Sequence, residues 1–276
     1  MRKYLFKKIV NWLNEEIGES YHDVPLTGYD RMCEELRVGD VLLIEGRSRI
    51  SRIIKTITIS PWTHSAIYIG RIDEIKDGAL QNKIAEHFMG GHNELLLLES
   101  LLGMGTIVRP VSVYKEEHIR ICRPRIASME DRYKVIAFAV NQLGYDYDVR
   151  HILDLARFFF PFSILPRRWR SSLFNFNAKQ PTKNVCSYLL AEAFGSIQYP
   201  VLPVVGKEED GSLKLFIRNT KLLTPKDFDY SPYFEIIKYP LFQIDEVQSY
   251  RSLPWDEKET VFDSTQDINI REKQDS

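Results

Sequence analysis

The chain has 276 residues, of which 44% are hydrophobic and 27% charged, enough to bury the core of one large domain or two small ones. We expect one main domain with appendages. The formal net charge is −1, so no overall positive field attracts the protein to nucleic acid, and we expect no nucleic-acid partner. The three cysteines are odd in number and widely spaced, which fits neither a disulfide framework nor a C-x-x-C metal knuckle. We therefore expect a reducing compartment.

Residues 1–28 are predicted to form an amphipathic helical extension. Apolar residues recur at helical spacing from Leu5 to Ile17, basic residues occupy other faces, and Gly18 is the predicted stop. Two interpretations fit this pattern: a helix packed on the core, which we favour, and a helix on a membrane surface. Lysines and asparagines interrupt the apolar stretch that an export signal requires, so we expect that the segment is not a signal peptide and stays attached. We expect a cytoplasmic protein, either soluble or associated with a membrane surface.

Residues 29–240 are predicted to form the main domain. Gly39 and Asp40 supply a turn before a buried strand at Val41 to Ile44, and further β-rich segments follow it. These segments are "HSAIYIG", "LLLLES", "GTIVRPVSVY" and "HIRICRP".

The hydrophobic period then changes to that of helices. "SMEDRYKVIAFAVNQLG" begins with a capping pattern at Ser128 and ends at Gly144, and "VCSYLLAEAFG" ends at Gly195. Strands grouped together and followed by separate helices indicate the α+β class, with an antiparallel sheet packed against helices. Residues 241–276 are predicted to be a polar C-terminal tail.

Three side chains are candidates for one catalytic site. Cys186 stands at the predicted start of its helix, where free backbone N–H groups and the helix dipole favour a thiolate. His64 opens "HSAIYIG", and alternation puts it on one face with Ala66 and Tyr68, so we expect the imidazole to project from that face toward a packed helix. Glu99 closes "LLLLE" and needs a partner that offsets its desolvation. Nucleophile, base and orienting acid are what acyl transfer requires.

Other polar clusters give weaker signals. "EHFMGGHNE" contains two histidines and two glutamates, but its paired glycines favour a loop over a helix that aligns metal ligands, so we expect no metal site and no cofactor. Arg109–Pro110 and Arg123–Pro124 close apolar runs and are interpreted as strand ends rather than anion sites. Cys33 and Cys122 are interpreted as bystanders. The three catalytic candidates also have a purely structural interpretation. A lone cysteine in a helix, for example, is usually a small buried hydrophobic residue.

The pairing of "LRVGDVLLIEG" with "THSAIYIG" resembles the strand signature of NlpC-type papain-like cysteine hydrolases. In the standard order the cysteine helix precedes the histidine strand, whereas here His64 comes first and "NVCSYLLAEAF" lies far downstream. This order resembles the circularly permuted branch, the YiiX-like papain-fold amidases. "AVNQLGYDYD" and "LLTPKDFDYS" are similar to two further segments of that family, so the resemblance spans about residues 36 to 235.

The resemblance implies a role for each matching residue. Cys186 falls on the nucleophile, His64 on the general base and Glu99 on the polar third member. Tyr147 falls on a tyrosine that could hydrogen-bond the oxyanion, although packing at a helix–loop junction is equally open. The implied function is a cysteine hydrolase that cleaves an amide or ester in a small-molecule, peptide or lipid-like substrate. A lipid acyltransferase or thioesterase of the lecithin:retinol acyltransferase type, and a non-catalytic binding module, remain alternatives.

A hydrophobic insertion at residues 150–177 departs from the family pattern. Arginines flank its aromatic cluster, as expected of a loop that enters a membrane interface while its cations stay with the headgroups. A lid folded over a groove of the same domain is the alternative. If the membrane interpretation holds, the contact is made through Phe158, Phe159, Phe160, Phe162 and Trp169.

Overall fold

The computed structural model describes residues 2–17, 25–147, 183–184, 186–242 and 253–255. The predicted insertion at 150–177, with its aromatic cluster, lies outside the described residues. The prediction of a membrane loop or a lid therefore stays a prediction.

The described strands form three sheets. Their bounds are β1 Val41–Glu45, β2 His64–Gly70, β3 Leu96–Leu101, β4 Gly105–Pro110, β5 His118–Pro124, β6 Asp146–Tyr147, β7 Lys183–Asn184, β8 Val204–Lys207, β9 Leu213–Phe216 and β10 Phe234–Ile237. Six of them form the main sheet, in the order β10-β5-β1-β2-β3-β4, and every neighbouring pair in it is antiparallel. The strands β6 and β7 form a short parallel pair, and β8 and β9 form a hairpin.

Helices pack on both faces of the main sheet. Their bounds are α1 Arg2–Asn14, α2 Tyr29–Glu35, α3 Arg49–Thr58, α4 Gly78–His87, α5 Met129–Val140, α6 Cys186–Gly195 and α7 Pro225–Tyr230. The predicted α+β class with an antiparallel sheet is confirmed. The predicted cap of α5 is also confirmed, because the Ser128 side chain accepts a hydrogen bond from the Asp131 backbone. In the described part of the chain, no helix is both long and apolar enough to cross a membrane.

The two faces of the sheet pack against different helices. On one face, Ile67 and Ile69 of β2 belong to a cluster with Leu189 and Phe194 of α6. On the other face, Ala66 and Tyr68 lie in a cluster with Met32 of α2. This layering explains why the run at Val41 to Ile44 is continuously apolar, since both of its faces are buried.

His64 lies on the face of Ala66 and Tyr68, as predicted, because its partner in β1, Ile44, belongs to the cluster on that face. α6 packs on the face of Ile67 and Ile69, which is the opposite face from that of Ala66 and Tyr68. His64 is the first residue of β2, so its imidazole reaches the cysteine past the end of the sheet rather than from the middle of a face.

The predicted turn before β1 is held by a buried ion pair. Gly39 has a φ of +89°, and Asp40 after it is completely buried. The Arg123 side chain donates to both carboxylate oxygens of Asp40, at 2.8 and 2.7 Å, and the backbone N–H of Arg37 donates at 2.9 Å. Arg123 lies at the end of its strand, as predicted. Its side chain also binds the Asp40 carboxylate, and this corrects the interpretation of Arg123–Pro124 as a strand end alone.

Candidate active site

The structure brings Cys186, His64 and Glu99 together at one end of the main sheet. His64 begins β2, Glu99 lies on the adjacent β3, and Cys186 is the first residue of α6. The His64 Nε2 and Glu99 Oε2 atoms are 2.5 Å apart. Because Nε2 faces Glu99, Nδ1 is the ring nitrogen left for the hydrogen bond with the Cys186 thiol. The three side chains therefore form a line from sulfur through imidazole to carboxylate.

The surroundings of Cys186 favour the thiolate. Burial by itself raises the pKa of this thiol, but the charge of His64, a hydrogen bond with His64 and contacts with Ser65 together bring the pKa below its ordinary value. Burial lowers the pKa of His64, and the charge of Cys186 and the hydrogen bonds with Cys186 and Glu99 more than offset this, so the net shift is upward. A thiolate and imidazolium pair is the protonation state that both shifts support.

Glu99 has two further partners that the sequence analysis did not predict. The Tyr114 hydroxyl donates to Glu99 Oε2 at 2.5 Å, and Arg109 Nη1 lies 3.5 Å from Oε1. Burial raises the pKa of Glu99, but hydrogen bonding and charge from His64, then from Tyr114 and Arg109, lower it overall. Burial and the Glu99 charge raise the pKa of Tyr114, so its hydroxyl stays protonated and donates. These contacts keep Glu99 ionised although it is completely buried.

Arg109 was interpreted only as a strand end, and the structure corrects this. It does lie at the end of β4, but its guanidinium also faces the Glu99 carboxylate. The register of the β3–β4 hairpin carried the missing signal: Leu97 pairs with Arg109 and Glu99 pairs with Ile107, so Glu99 and Arg109 are diagonal neighbours on one face. Tyr114 had no comparable local signal, because it lies in a 3-10 turn beyond the strand.

The structure describes the main chain of Tyr147 but not its side chain. Tyr147 pairs with Asn184 in the short parallel sheet, which places its backbone beside the chain that leads into α6. Its predicted contact with the oxyanion therefore stays a prediction.

The other predicted groups lie away from this site. His87 ends α4, with Nδ1 2.9 Å from the Lys83 carbonyl oxygen, and the paired glycines follow in a loop. Among the residues that the structure describes, no three histidine, cysteine, aspartate or glutamate side chains are grouped to hold a metal ion. Burial raises the pKa of the Cys33 and Cys122 thiols, so of the three cysteines only Cys186 has a lowered pKa.

A cleft opens directly on Cys186 and His64. Its walls come from the end of α1, from α3 and the loop before it, from the end of β3, and from the turn that carries Tyr114. The lining includes aliphatic side chains such as Ile50, Ile54 and Leu102, so the cleft has an apolar surface next to the sulfur atom. A cleft with such a lining can bind the apolar part of a substrate whose carbonyl group reacts at the sulfur atom.

Comparison with known proteins finds a family match over part of the chain. Residues 35–162 match the family described as permuted papain-like amidase enzyme, YaeF/YiiX, C92 family. The matched range includes His64, Glu99 and Tyr147 and ends before Cys186. A search of curated proteins finds no match. Among solved structures, the crystal structure of the metalloprotein YiiX from Escherichia coli O157:H7 aligns with a TM-score of 0.43 and 13% identity, over 74% of this chain and 98% of that chain.

Proposed function

On the premise that residues 35–162 are part of a YiiX-like permuted papain fold, we propose that the protein is a cysteine hydrolase that cleaves an amide or ester bond. One observation carries the proposal: Cys186, which lies outside the matched range, is in line with His64 and Glu99, and Cys186 and His64 line a cleft. Buried side chains with opposed pKa shifts in a cleft are typical of catalytic sites.

The first half of the reaction forms an acyl-enzyme. The Cys186 thiolate attacks the substrate carbonyl carbon, and the carbonyl oxygen becomes an oxyanion. The backbone N–H of Cys186, at the first position of α6, is available to stabilise that charge because helix N-termini have free N–H groups. When the bond from carbon to the leaving nitrogen or oxygen breaks, the His64 imidazolium gives its proton to the leaving group.

The second half releases the acid. Neutral His64 takes a proton from water, and the resulting hydroxide attacks the thioester carbon. The carbon–sulfur bond breaks, the carboxylic acid product leaves, and the thiolate and imidazolium pair is restored. In both halves Glu99 is a positioning residue, because its hydrogen bond with Nε2 fixes the ring so that Nδ1 faces the sulfur.

A panel of amide, thioester and phospholipid substrates tests the proposal, with products identified by mass in water enriched in ¹⁸O. We expect an acid product that contains one ¹⁸O atom, and no product from Cys186→Ala. Removing the sulfur changes little volume in the core, so the variant should keep the wild-type circular dichroism spectrum. Wild-type turnover in Cys186→Ala would contradict the proposed nucleophile, and transfer of the acyl group to a second substrate would identify an acyltransferase instead.

A further inference from the structure

The N-terminal helix is attached to the domain next to the cleft. Val10 of α1 is 6% exposed and lies over Gly103, where a Cβ atom would come within 2.5 Å of a Val10 methyl group. The Asn14 side chain donates to the Leu102 carbonyl oxygen at 2.9 Å. Both contacts are with the turn that joins β3 to β4, which follows directly after the strand that carries Glu99.

The chain that follows α1 is fixed on both sides of Glu16. The Ile17 N–H donates to the Arg47 carbonyl at 3.1 Å, and the Arg49 N–H donates to the Glu15 carbonyl at 3.1 Å. These paired backbone hydrogen bonds form an antiparallel bridge between Glu16 and Ser48, so the backbone at Glu16 is held against the loop before α3.

The Arg49 side chain adds a second attachment. It donates to the Trp12 carbonyl oxygen at 3.2 Å, forms an ion pair with the Glu15 carboxylate, and lies with its guanidinium carbon 4.8 Å from the centre of the Trp12 ring. Because a guanidinium group is planar, its face can stack on an aromatic ring while the N–H groups at its edge bind a carboxylate. The segment is therefore held by backbone, charge and packing at once.

The Glu16 carboxylate places a negative charge on one wall of the cleft. Asn14 and Glu16 line the same cleft as Cys186 and His64. Two further charged residues in the lining, Arg47 and Glu117, pair with each other at 3.2 Å.

Glu16 also lies near enough to Glu117 to affect its ionisation. Burial raises the pKa of Glu117, Arg47 lowers it, the charge of Glu16 raises it and that of Lys55 lowers it, with a net shift upward. Because Arg47 is already paired with Glu117, a negative charge remains on the wall that the N-terminal segment contributes.

We propose that Arg2–Ile17, which lies outside the family match, forms one wall of the substrate cleft, and that Glu16 on this wall is a specificity-determining residue that disfavours anionic groups beside Cys186. The inference rests on the proposed function, because it takes Cys186 as the reacting group. Glu16 and Cys186 line the same cleft, so an anionic group that enters this cleft to reach the sulfur is repelled by the Glu16 carboxylate when the two charges lie within a Debye length of each other.

Two alkylating reagents that differ in charge test this without a known substrate. Iodoacetate carries a negative charge and iodoacetamide is neutral, and mass spectrometry gives the rate of modification at Cys186 separately from that at Cys33 and Cys122. The measured quantity is the ratio of the iodoacetate rate to the iodoacetamide rate. At low ionic strength we expect Glu16→Lys, which changes the charge by two units, to raise this ratio about fivefold. We expect Glu16→Gln, which changes it by one unit, to raise the ratio about twofold.

Glu209→Lys is the matched control, because it makes the same charge change on the exposed hairpin turn, away from the cleft. We expect its ratio to equal that of the wild type, and the effect of Glu16→Lys to shrink at about 0.5 M salt. Equal ratios in the wild type, both Glu16 variants and the control would overturn the inference while the proposed function stands. If iodoacetamide modifies Cys33 but not Cys186 in the folded wild type, the proposed nucleophile fails, and the inference fails with it.

Discussion

Asp40 and Glu99 are both completely buried, yet their partners differ in kind. Asp40 lies before β1 at one end of the main sheet, and Arg123 donates to both of its oxygens. Glu99 lies toward the other end, and its shortest contacts are with His64 and Tyr114, both through the same oxygen. One carboxylate is bound by a group that is always charged, and the other by a group that can give up and take back a proton.

The difference separates a structural end of the sheet from a reactive end. In the described residues Glu99 Oε1 has no hydrogen bond, and its neighbour Arg109 is 3.5 Å away. A buried polar atom without a hydrogen bond costs stability, and such costs tend to be concentrated at functional sites. The ion pair of Asp40, in contrast, has the bidentate geometry of a fully satisfied structural pair. The comparison predicts that equivalent changes at the two ends will have different consequences.

Replacing the base should have the largest effect on the reactive end. His64→Gln removes the imidazolium that stabilises the thiolate, so the pKa of Cys186 should return upward under the effect of burial. We expect the rate of Cys186 alkylation at neutral pH to fall about 100-fold, and turnover to fall by at least about 1,000-fold. The measurement is alkylation followed by mass spectrometry beside substrate kinetics. An unchanged alkylation rate would show that His64 does not set the state of the sulfur.

Replacing the orienting acid should have an intermediate effect. Glu99→Gln keeps a hydrogen-bonding side chain of the same shape but removes the charge that favours the imidazolium. We expect kcat to fall by roughly 10- to 100-fold with a smaller change in KM, because the variant changes the state of His64 rather than the binding surface. Kinetics as a function of pH measure this, and the limb of the profile that belongs to His64 should move to lower pH. If kcat and the profile are both unchanged, another residue orients His64.

The equivalent change at the structural end should leave reactivity intact. Asp40→Asn leaves the Arg123 guanidinium without its buried counter-charge, so we expect the free energy of unfolding to fall by about 3 kcal/mol. The rate of Cys186 alkylation in the folded variant, measured at low temperature, should stay within about twofold of the wild type. Denaturant unfolding supplies the first number. A loss of alkylation in folded Asp40→Asn would mean that the two ends of the sheet are not independent.

Local sequence patterns predicted the elements that carry this site. The apolar run at Val41 to Ile44, the strand that begins at His64 and the helix that begins at Cys186 all form as predicted. The resemblance to the permuted papain-fold family is confirmed over residues 35–162, where the family model matches. Each of the three elements depends on residues within one segment, whereas the resemblance also depends on the order of several segments, and a single sequence contains both kinds of information.

The parts that were not predicted depend on contacts between segments. The alternation of β2 placed His64 correctly on the face of Ala66 and Tyr68, but it could not reveal that α6 would cover the opposite face. Tyr114 contacts Glu99 only because the chain turns after β4, and Asn14 and Glu16 reach the cleft only because α1 folds back on the domain. The helix α3 is different, since "RISRIIKTIT" has isoleucines at helical spacing and could have been predicted.

The pH dependence of Cys186 alkylation in the wild-type protein tests the central claim most directly. Reaction with iodoacetamide requires the thiolate, and the pKa of Cys186 is lowered chiefly by the charge of His64 acting against burial. A lowered pKa means that the thiolate persists as the pH falls below the range in which an ordinary cysteine becomes protonated. We therefore expect the rate at Cys186 to fall at a lower pH than in unfolded protein, which loses reactivity through about pH 8.5. A rate at Cys186 that falls through the same range as in unfolded protein would contradict the thiolate and imidazolium pair.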